Sequence, residues 1–451
     1  MRRFPWLFLG AIAVGCGSVE LPVLSTDDAA APDGTTALPP GGGTRADFCA
    51  GSGPPSFADR DGGVVCSGGI AQKTFRYALC TCEGLVTDHP LTTDAFDGSQ
   101  GPYDPAHAKI GGSIGSNGNI NASAAFDIGG SVWAGDVTGL TTNAALTARG
   151  ELHAAGKLNT GPALTVGTDA WLAGGIVTSG DVLVPGTLFV PNGVQVSIGG
   201  TKTIGATVTA PVSVPAPCDC DPSAQLDVVS FADGYRTKND DAAEGLDPAL
   251  LENVSAPLSR TLPCGRYFFT RVGAHAKVEL TASGRVAIFI GGDFAADADF
   301  VVHVPAGGEL DLFIAGNVVA AGTFTIGDPA NPARARTYVG GTGTVNLQSA
   351  SQLAGNLYAP RAQLVLGGSA PATVFGSIFA KRVSSSASLT IHFDESVAKK
   401  GDECPNPTSC KSCHDCGNQA CHAGQCGACS DSSECCAPYV CRSGTCVLDI
   451  R

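Results

Sequence analysis

The chain has 451 residues, a formal net charge of −14, 60 glycines and 19 cysteines; 43% of it is hydrophobic and 15% charged. That apolar content can build a core and excludes a wholly disordered chain, while the acidic balance argues against nucleic acid or phosphate-rich surfaces as partners. Because 19 is odd, one thiol must stand outside any complete set of disulfides.

At the N-terminus, Arg2 and Arg3 precede the eleven-residue apolar run "FPWLFLGAIAV" (Phe4 to Val14), followed by Gly15 and Cys16. This is the layout of a cleavable export signal, and eleven residues are too few to span a bilayer as a helix. Residues 1–15 resemble a bacterial lipoprotein signal peptide, with Ala13 where that family more often has Leu. The resemblance implies a mature chain beginning at lipid-modified Cys16, exported and anchored at the bacterial envelope, with the outer membrane as the expected location. An ordinary signal peptide with an incidental Cys16 is the alternative. Cleavage takes the net charge to −16 and leaves 18 cysteines besides Cys16, an even number that suits disulfides in an oxidising compartment.

Residues 16–48 carry Pro, Gly, Thr and Asp without period and read as a lipid-anchored flexible tether with a reach of roughly 30 Å. The region 49–106 holds Cys49, Cys66, Cys80 and Cys82, for which two local disulfides are expected.

From about residue 107 to 214 a unit of glycine, a polar residue and an apolar residue recurs at Gly112, Gly118, Gly135, Gly150, Gly156, Gly180 and Gly186, and it resumes at Gly316, Gly322, Gly343, Gly355 and Gly376. Four neighbouring pairs lie six residues apart, so the apolar residue returns to one face of an extended chain. Six extended residues cover about 20 Å, one flat side of a coil, with glycine at the corner, where φ is often positive and a side chain would obstruct the turn. The expectation is an all-β fold: a Gly-rich parallel β-helix, or solenoid, in two parts. A β-sandwich with Gly-rich turns is the alternative.

Between the parts, residues 215–264 read as an excursion flanked by Cys218, Cys220 and Cys264. Within it, Asn239 to Val254 reads as a short acidic helix with Leu246, Leu250 and Val254 spaced by four. The second solenoid part is expected at 265–397. Its segments "LPCGRYFF", "GRVAIFIGGDF", "ELDLFIAGNV", "GNLYAPRAQLVL", "FGSIFAKRV" and "IHFDESV" resemble an uncharacterised β-solenoid domain of secreted and lipid-anchored myxobacterial proteins and of some pilus-associated bacterial proteins. That resemblance covers roughly Cys218 to Val397 and implies fold and location, with no reaction. The Gly-rich array also resembles bactofilins, which polymerise through β-helices but lack a cleavable export signal.

The last stretch, 398–451, holds Cys404, Cys410, Cys413, Cys416, Cys421, Cys426, Cys429, Cys435, Cys436, Cys441 and Cys446. Its spacing resembles small extracellular modules of the Dickkopf-like type, and with little apolar material it needs disulfides in place of a core. Six cysteines alone allow 15 connectivities, among which sequence does not choose. Zinc competes at Cys410, Cys413 and Cys416 beside His414, with His422 nearby, yet two clean C-x2-C pairs are missing, so no metal is expected.

A catalytic reading would draw on Asp293, Asp297 and Asp299 or on His392, Asp394 and Glu395, because a β-helix glycosidase or lyase needs convergent carboxylates or a carboxylate with a base. Acidic residues on strands and turns are more often a solvated face, and no nucleophile elbow, zinc-protease helix or phosphate loop occurs. The expected function is therefore structural or adhesive, a rigid solenoid with a Cys-rich tip, with no cofactor and no assigned catalytic residue. The expected partners are the membrane through lipid and an envelope glycan, matrix or another surface protein. A carbohydrate-active β-helix enzyme is the alternative.

Overall fold

The computed structural model describes residues 44–55, 57–58, 64–65, 67–348, 352–368, 370–401, 420–422, 425–435, 439–442 and 444–448. The expectations for the signal segment, Cys16, most of the tether, Cys66, Cys404, Cys410, Cys413, His414, Cys416 and Cys436 fall outside these residues.

The six-residue period becomes the side of a three-sided coil. Leu146, Leu152, Leu158, Leu164, Ala170, Ile176, Val182 and Leu188 all face the interior at 2% exposure or less. Most strands here are three residues long, with the middle residue pointing outward, as in Leu146–Ala148, Leu152–Ala154 and Leu158–Thr160. Leu146 aligns with Leu164 and Leu164 with Val182, so eighteen residues close one coil. Neighbouring coils pair in parallel, which satisfies the backbone along the stack. The result is the expected parallel β-solenoid, of about 13 turns.

Of the two reasons expected for the corner glycines, the obstruction a side chain would cause outweighs a positive φ. Of the twelve in the repeat, only Gly112 (φ 71°) and Gly376 (φ 129°) take a positive φ. At Gly156 an added Cβ would collide with the carbonyl of Val137, and at Gly180 with that of Pro162. Coils stack so closely at the corners that the missing side chain, not a left-handed backbone, is what the position requires.

The two parts are separate along the chain and continuous in space. Strand Leu79–Thr87 pairs on one edge with Ile378–Ser385 and on the other with Ile114–Ser116 and Asn119–Ala122. Leu91–Phe96 likewise lies between Leu389–Asp394 and Phe126–Ile128. The chain therefore enters at this seam, winds out to Thr209, crosses back along the outside, starts again at Leu258 and winds back to the seam. One outward column runs through all thirteen coils: Phe268, Phe289, Phe313, Tyr338, Tyr358, Phe379, Cys80, Gly115, Trp133, His153, Trp171, Phe189 and Val208. Thirteen coils at about 4.8 Å make a rod of about 60 Å.

Coils of the second part are longer; Val286 to Leu310 and Leu310 to Ala335 span 24 and 25 residues. Phe294, Phe300 and Phe324 fill the wider interior, the first with its ring centroid 4.7 Å from Phe300 and 5.3 Å from Phe324. This part opens with strand Leu258–Phe269, inside the stretch read from sequence as excursion. The acidic helix shrinks to one turn, Asp241–Glu244, ended by Gly245 at φ 60°. An unforeseen helix, Val228–Gly234, is capped by Asp227 and places Phe231 against the solenoid.

After the short 3-10 turn Glu395–Lys399 the chain leaves the seam, where Gly401 packs on Ser67 and Gly53. Beyond it, two small antiparallel hairpins, Ala420–His422 with Gln425–Gly427 and Tyr439–Arg442 with Thr445–Leu448, belong to the Cys-rich segment. Cys429–Cys441 and Cys435–Cys446 close it, and Cys421 and Cys426 are also disulfide-bonded.

Candidate functional site at the seam

The acids and the histidine proposed as catalytic meet the seam or the coil corners. In Leu389–Asp394 the alternation places Leu389, Ile391 and Phe393 inside, with Thr390 and His392 outward. His392 shares its column with Phe375 on the coil before and Asp94 on the coil after. Its Nδ1 lies 2.8 Å from Asp94 Oδ1, and the Tyr103 hydroxyl donates to Asp94 Oδ2 at 2.6 Å. The Tyr103 ring lies 3.9 Å from the imidazole, centroid to centroid, and Phe375 5.0 Å. Burial, followed by the hydrogen bond to Asp94, pushes the Tyr103 hydroxyl well above its usual range. The cluster pins the loop that carries Tyr103 onto the solenoid; its hydrogen bonds already join the three polar side chains to one another.

Asp394 departs from the expectation of an outward acid. The strand ends there and turns into Glu395–Lys399, so its carboxylate becomes the cap of that turn and is fully buried. It accepts hydrogen bonds from the backbone of Gly98 (2.8 Å), Ser396 (3.0 Å) and Ala333 (3.2 Å). Fully buried and holding three backbone amides, the carboxylate faces the fold and not the solvent. Glu395 stays half exposed, its carboxyl raised by burial, with Lys109 Nζ 3.9 Å away.

The aspartate triplet does not converge either. Asp293 and Asp299 sit at corners and accept the backbone N–H of the next coil, from Asn317 at 2.8 Å and Thr323 at 3.0 Å. Asp297 pairs with His275 at 2.7 Å on the surface. Asp169 and Asp181 cap Thr187 and Thr201 in the same way, so corner acids are a device of the solenoid.

The aromatic column carries the second candidate surface. Trp133, His153, Trp171 and Phe189 stack nearly parallel, with centroids 3.5, 4.3 and 5.1 Å apart. A sugar ring binds to a free aromatic face, and these faces cover one another. Burial holds the His153 imidazole down to about 3, beside Glu151 at 3.0 Å. The spacing of these four residues, 20, 18 and 18, equals the coil length and was the signal in the sequence.

Residues 211–217 run back past this half. Seven residues reach about 22 Å when extended, and the five coil steps between the Val208 and Gly115 layers amount to about 24 Å, so the strap is nearly taut. Pro217 packs on Gly115 and Gly135, where any side chain would obstruct it. Cys218 exchanges two hydrogen bonds of 2.8 Å with the Asn117 side chain. Further on, Phe231 and Tyr235 lie on Phe289, and Leu226 donates to the Tyr358 hydroxyl at 3.1 Å.

Disulfides fasten these covers, against the expectation of local pairs. Cys80 bonds Cys218, Cys82 bonds Cys220 and Cys49 bonds Cys264, so the cysteines between the parts pair with the first group. Cys80 and Cys82 flank Thr81 on one strand, whose geometry turns both sulfurs outward toward the strap. The bonds do not join the two ends of the excursion to each other. Residues 44–55 dock on the second part: the Phe48 ring lies under Arg285 (4.4 Å), and Arg285 donates to the Phe48 and Gly53 carbonyls. Beneath them Arg336, fully buried, pairs with Asp311 and Glu309, each at 2.6 Å. Burial pushes the Asp311 carboxyl up, against the pull of the guanidinium.

Cys429, Cys435 and Cys446 bring their sulfurs within 4.8 Å of one another, but all three are in disulfides and are not thiolate ligands. A gap in the solenoid, lined by Leu347, Leu353, Leu364, Val374 and Ile378 with Thr373, is mostly apolar and holds no titratable group.

Residues 236–400 match a family described as a domain of unknown function, DUF7305. Neither the curated proteins nor the solved structures contain a match to the chain. The matched stretch contains the later part of the excursion and the second solenoid part and ends just past the seam, so this chain is similar to that family over the half of the rod on which residues 79–209 are stacked.

Proposed function

We propose that this is an exported structural protein, held at the envelope through lipid on Cys16, whose solenoid acts as a rigid spacer and whose Cys-rich module and bare flanks meet an envelope glycan, the matrix or another surface protein. One observation carries the reading: of the groups singled out as catalytic, Asp293, Asp299, Asp394 and His392 are engaged by the fold itself, as coil-corner caps, a turn cap and a clamp on a loop, and Asp297 and Glu395 stand apart from them in surface pairs with His275 and Lys109. Three long-range disulfides support an oxidising compartment outside the cytosol. Labelling with a fatty-acid analogue should mark the wild-type chain and spare Cys16→Ser, and the secreted chain should capture a glycan or surface protein without cleaving it. Equal labelling of both chains contradicts the anchor. A glycan-cleaving activity that His392→Ala abolishes at unchanged stability establishes the enzyme reading instead.

A further inference from the structure

The two ends of the solenoid are finished differently. At the Leu258 end the excursion serves as the cover: Asp240 N–H donates to the Arg266 carbonyl at 2.7 Å, the Arg266 and Phe268 amides donate to the Asp240 and Asp241 carboxylates, and Val254 bridges to Ala274. At the Thr209 end no described strand pairs with the outer edge of Lys202–Thr209, which is exposed almost throughout. Val196 and Val208 there are 41% and 40% exposed. An uncovered strand edge is a template for another strand.

The seam shows that this solenoid accepts a coil from elsewhere in the chain. There Leu79 lies on Ile378, Leu85 on Val383 and Leu91 on Leu389, and the hydroxyls buried beside them at Thr87 and Ser385 donate to the carbonyls of His89 and Ala387. At the bare end the core-facing sequence changes. Lys202 follows Val182 and Thr207 follows Leu188, where every earlier member of the two columns in the first part is apolar, and Thr209 follows Val190 in a column that is apolar from Ala134 onward. A next coil laid on this layer would bury an ammonium and two hydroxyls against its own core, at a cost that aliphatic residues do not carry.

We propose that Lys202, Thr207 and Thr209 form a polar lid that ends the solenoid and closes its one bare end to a second copy of this chain. The occupant kept out is a second copy meeting head to head, because the other end is already covered. With a two-fold axis between Gly205 and Ala206, Lys202–Thr209 would pair antiparallel with its mate, Ile204 over Thr207 and Val196 over Ile198, continuing both cores.

The test is the mass in solution of the full-length chain by light scattering. The wild type should have the mass of one chain, and the triple variant Lys202→Val, Thr207→Leu, Thr209→Val twice that mass at the same concentration. Lys202→Val alone, on the exposed edge, should shift part of the population. Adding Val196→Lys to the triple variant should return it to a single chain. A wild-type dimer overturns the proposal, as does a triple variant that stays single with wild-type circular dichroism. An association that survives Val196→Lys places the contact elsewhere and overturns it too. Should the triple variant fail to fold, Lys202→Val decides alone, and a purely single-chain population refutes the lid.

Discussion

The two halves of the rod reach stability by different routes. In residues 114–209 the coils keep to 18 to 20 residues, the interior is mainly Leu, Ile, Val and Ala with the single ring of Phe126, and the outward column is Trp133, His153, Trp171 and Phe189 stacked on one another. In residues 258–394 the coils vary, Phe rings fill the interior, and the outer surface is sheathed by the strap and by residues 44–55 through Arg266, Arg285 and Arg336. Regular repetition can bury its core against the next coil and leave its flanks to water. An irregular repeat leaves buried charges and rings outside the core, which have to be covered and bonded.

The largest effect should come from the sheath. Arg336→Ala leaves Asp311 and Glu309 buried without their cation and should cost about 3–5 kcal/mol in a denaturant melt. A loss under 1 kcal/mol would mean that this network is not closed to solvent. Phe393→Ala, a large-to-small change inside the seam coil, should cost about 3 kcal/mol.

Acidity should separate the halves by sign. Asp241, in the cover of the second half, is raised by burial to about 6 from 3.8, with Oδ2 lacking a hydrogen-bond partner. Its neutral form fits the fold, so its contribution is full below pH 4 and is lost as pH rises through 6. Asp241→Asn should therefore match the wild type at pH 4 and exceed it at pH 7. His153, in the first half, is lowered to about 3 from 6.5. Its contribution is full above pH 6.5 and is lost as pH falls towards 3, so His153→Phe should flatten the acid side of the stability curve. A variant that shifts the curve equally at all pH values would refute the corresponding assignment. The smallest effect is expected at His392→Ala, about 1 kcal/mol for one hydrogen bond and a ring contact.

Much of the first half was legible because its period is constant and six residues per side make the coil; in the second half, strict alternation in "LTIHFDES" is enough to turn Leu389, Ile391 and Phe393 inward. The corner glycines were found for partly the wrong reason, since the approach of the neighbouring coil is not visible in one chain segment. Asp94 and Tyr103 were not seen as partners of His392 because the seam brings together residues nearly 300 positions apart, and no local pattern encodes that. The local pairing expected for Cys49, Cys80 and Cys82 failed for the same reason: their partners, Cys264 in the first strand of the second part and Cys218 and Cys220 at the end of the strap, are brought to them only by the order of the two halves in space. The buried Asp394 shows where alternation ends, at the residue that leaves the strand to cap a turn.

The central claim is that the two stretches form one solenoid, the second preceding the first in space and the excursion crossing back over both. Peptide mapping of the oxidised full-length chain under non-reducing conditions tests this most directly. The account predicts Cys49 linked to Cys264, Cys80 to Cys218 and Cys82 to Cys220. Pairing of Cys49, Cys80 and Cys82 among themselves, or of Cys218, Cys220 and Cys264 with the C-terminal module, would contradict it.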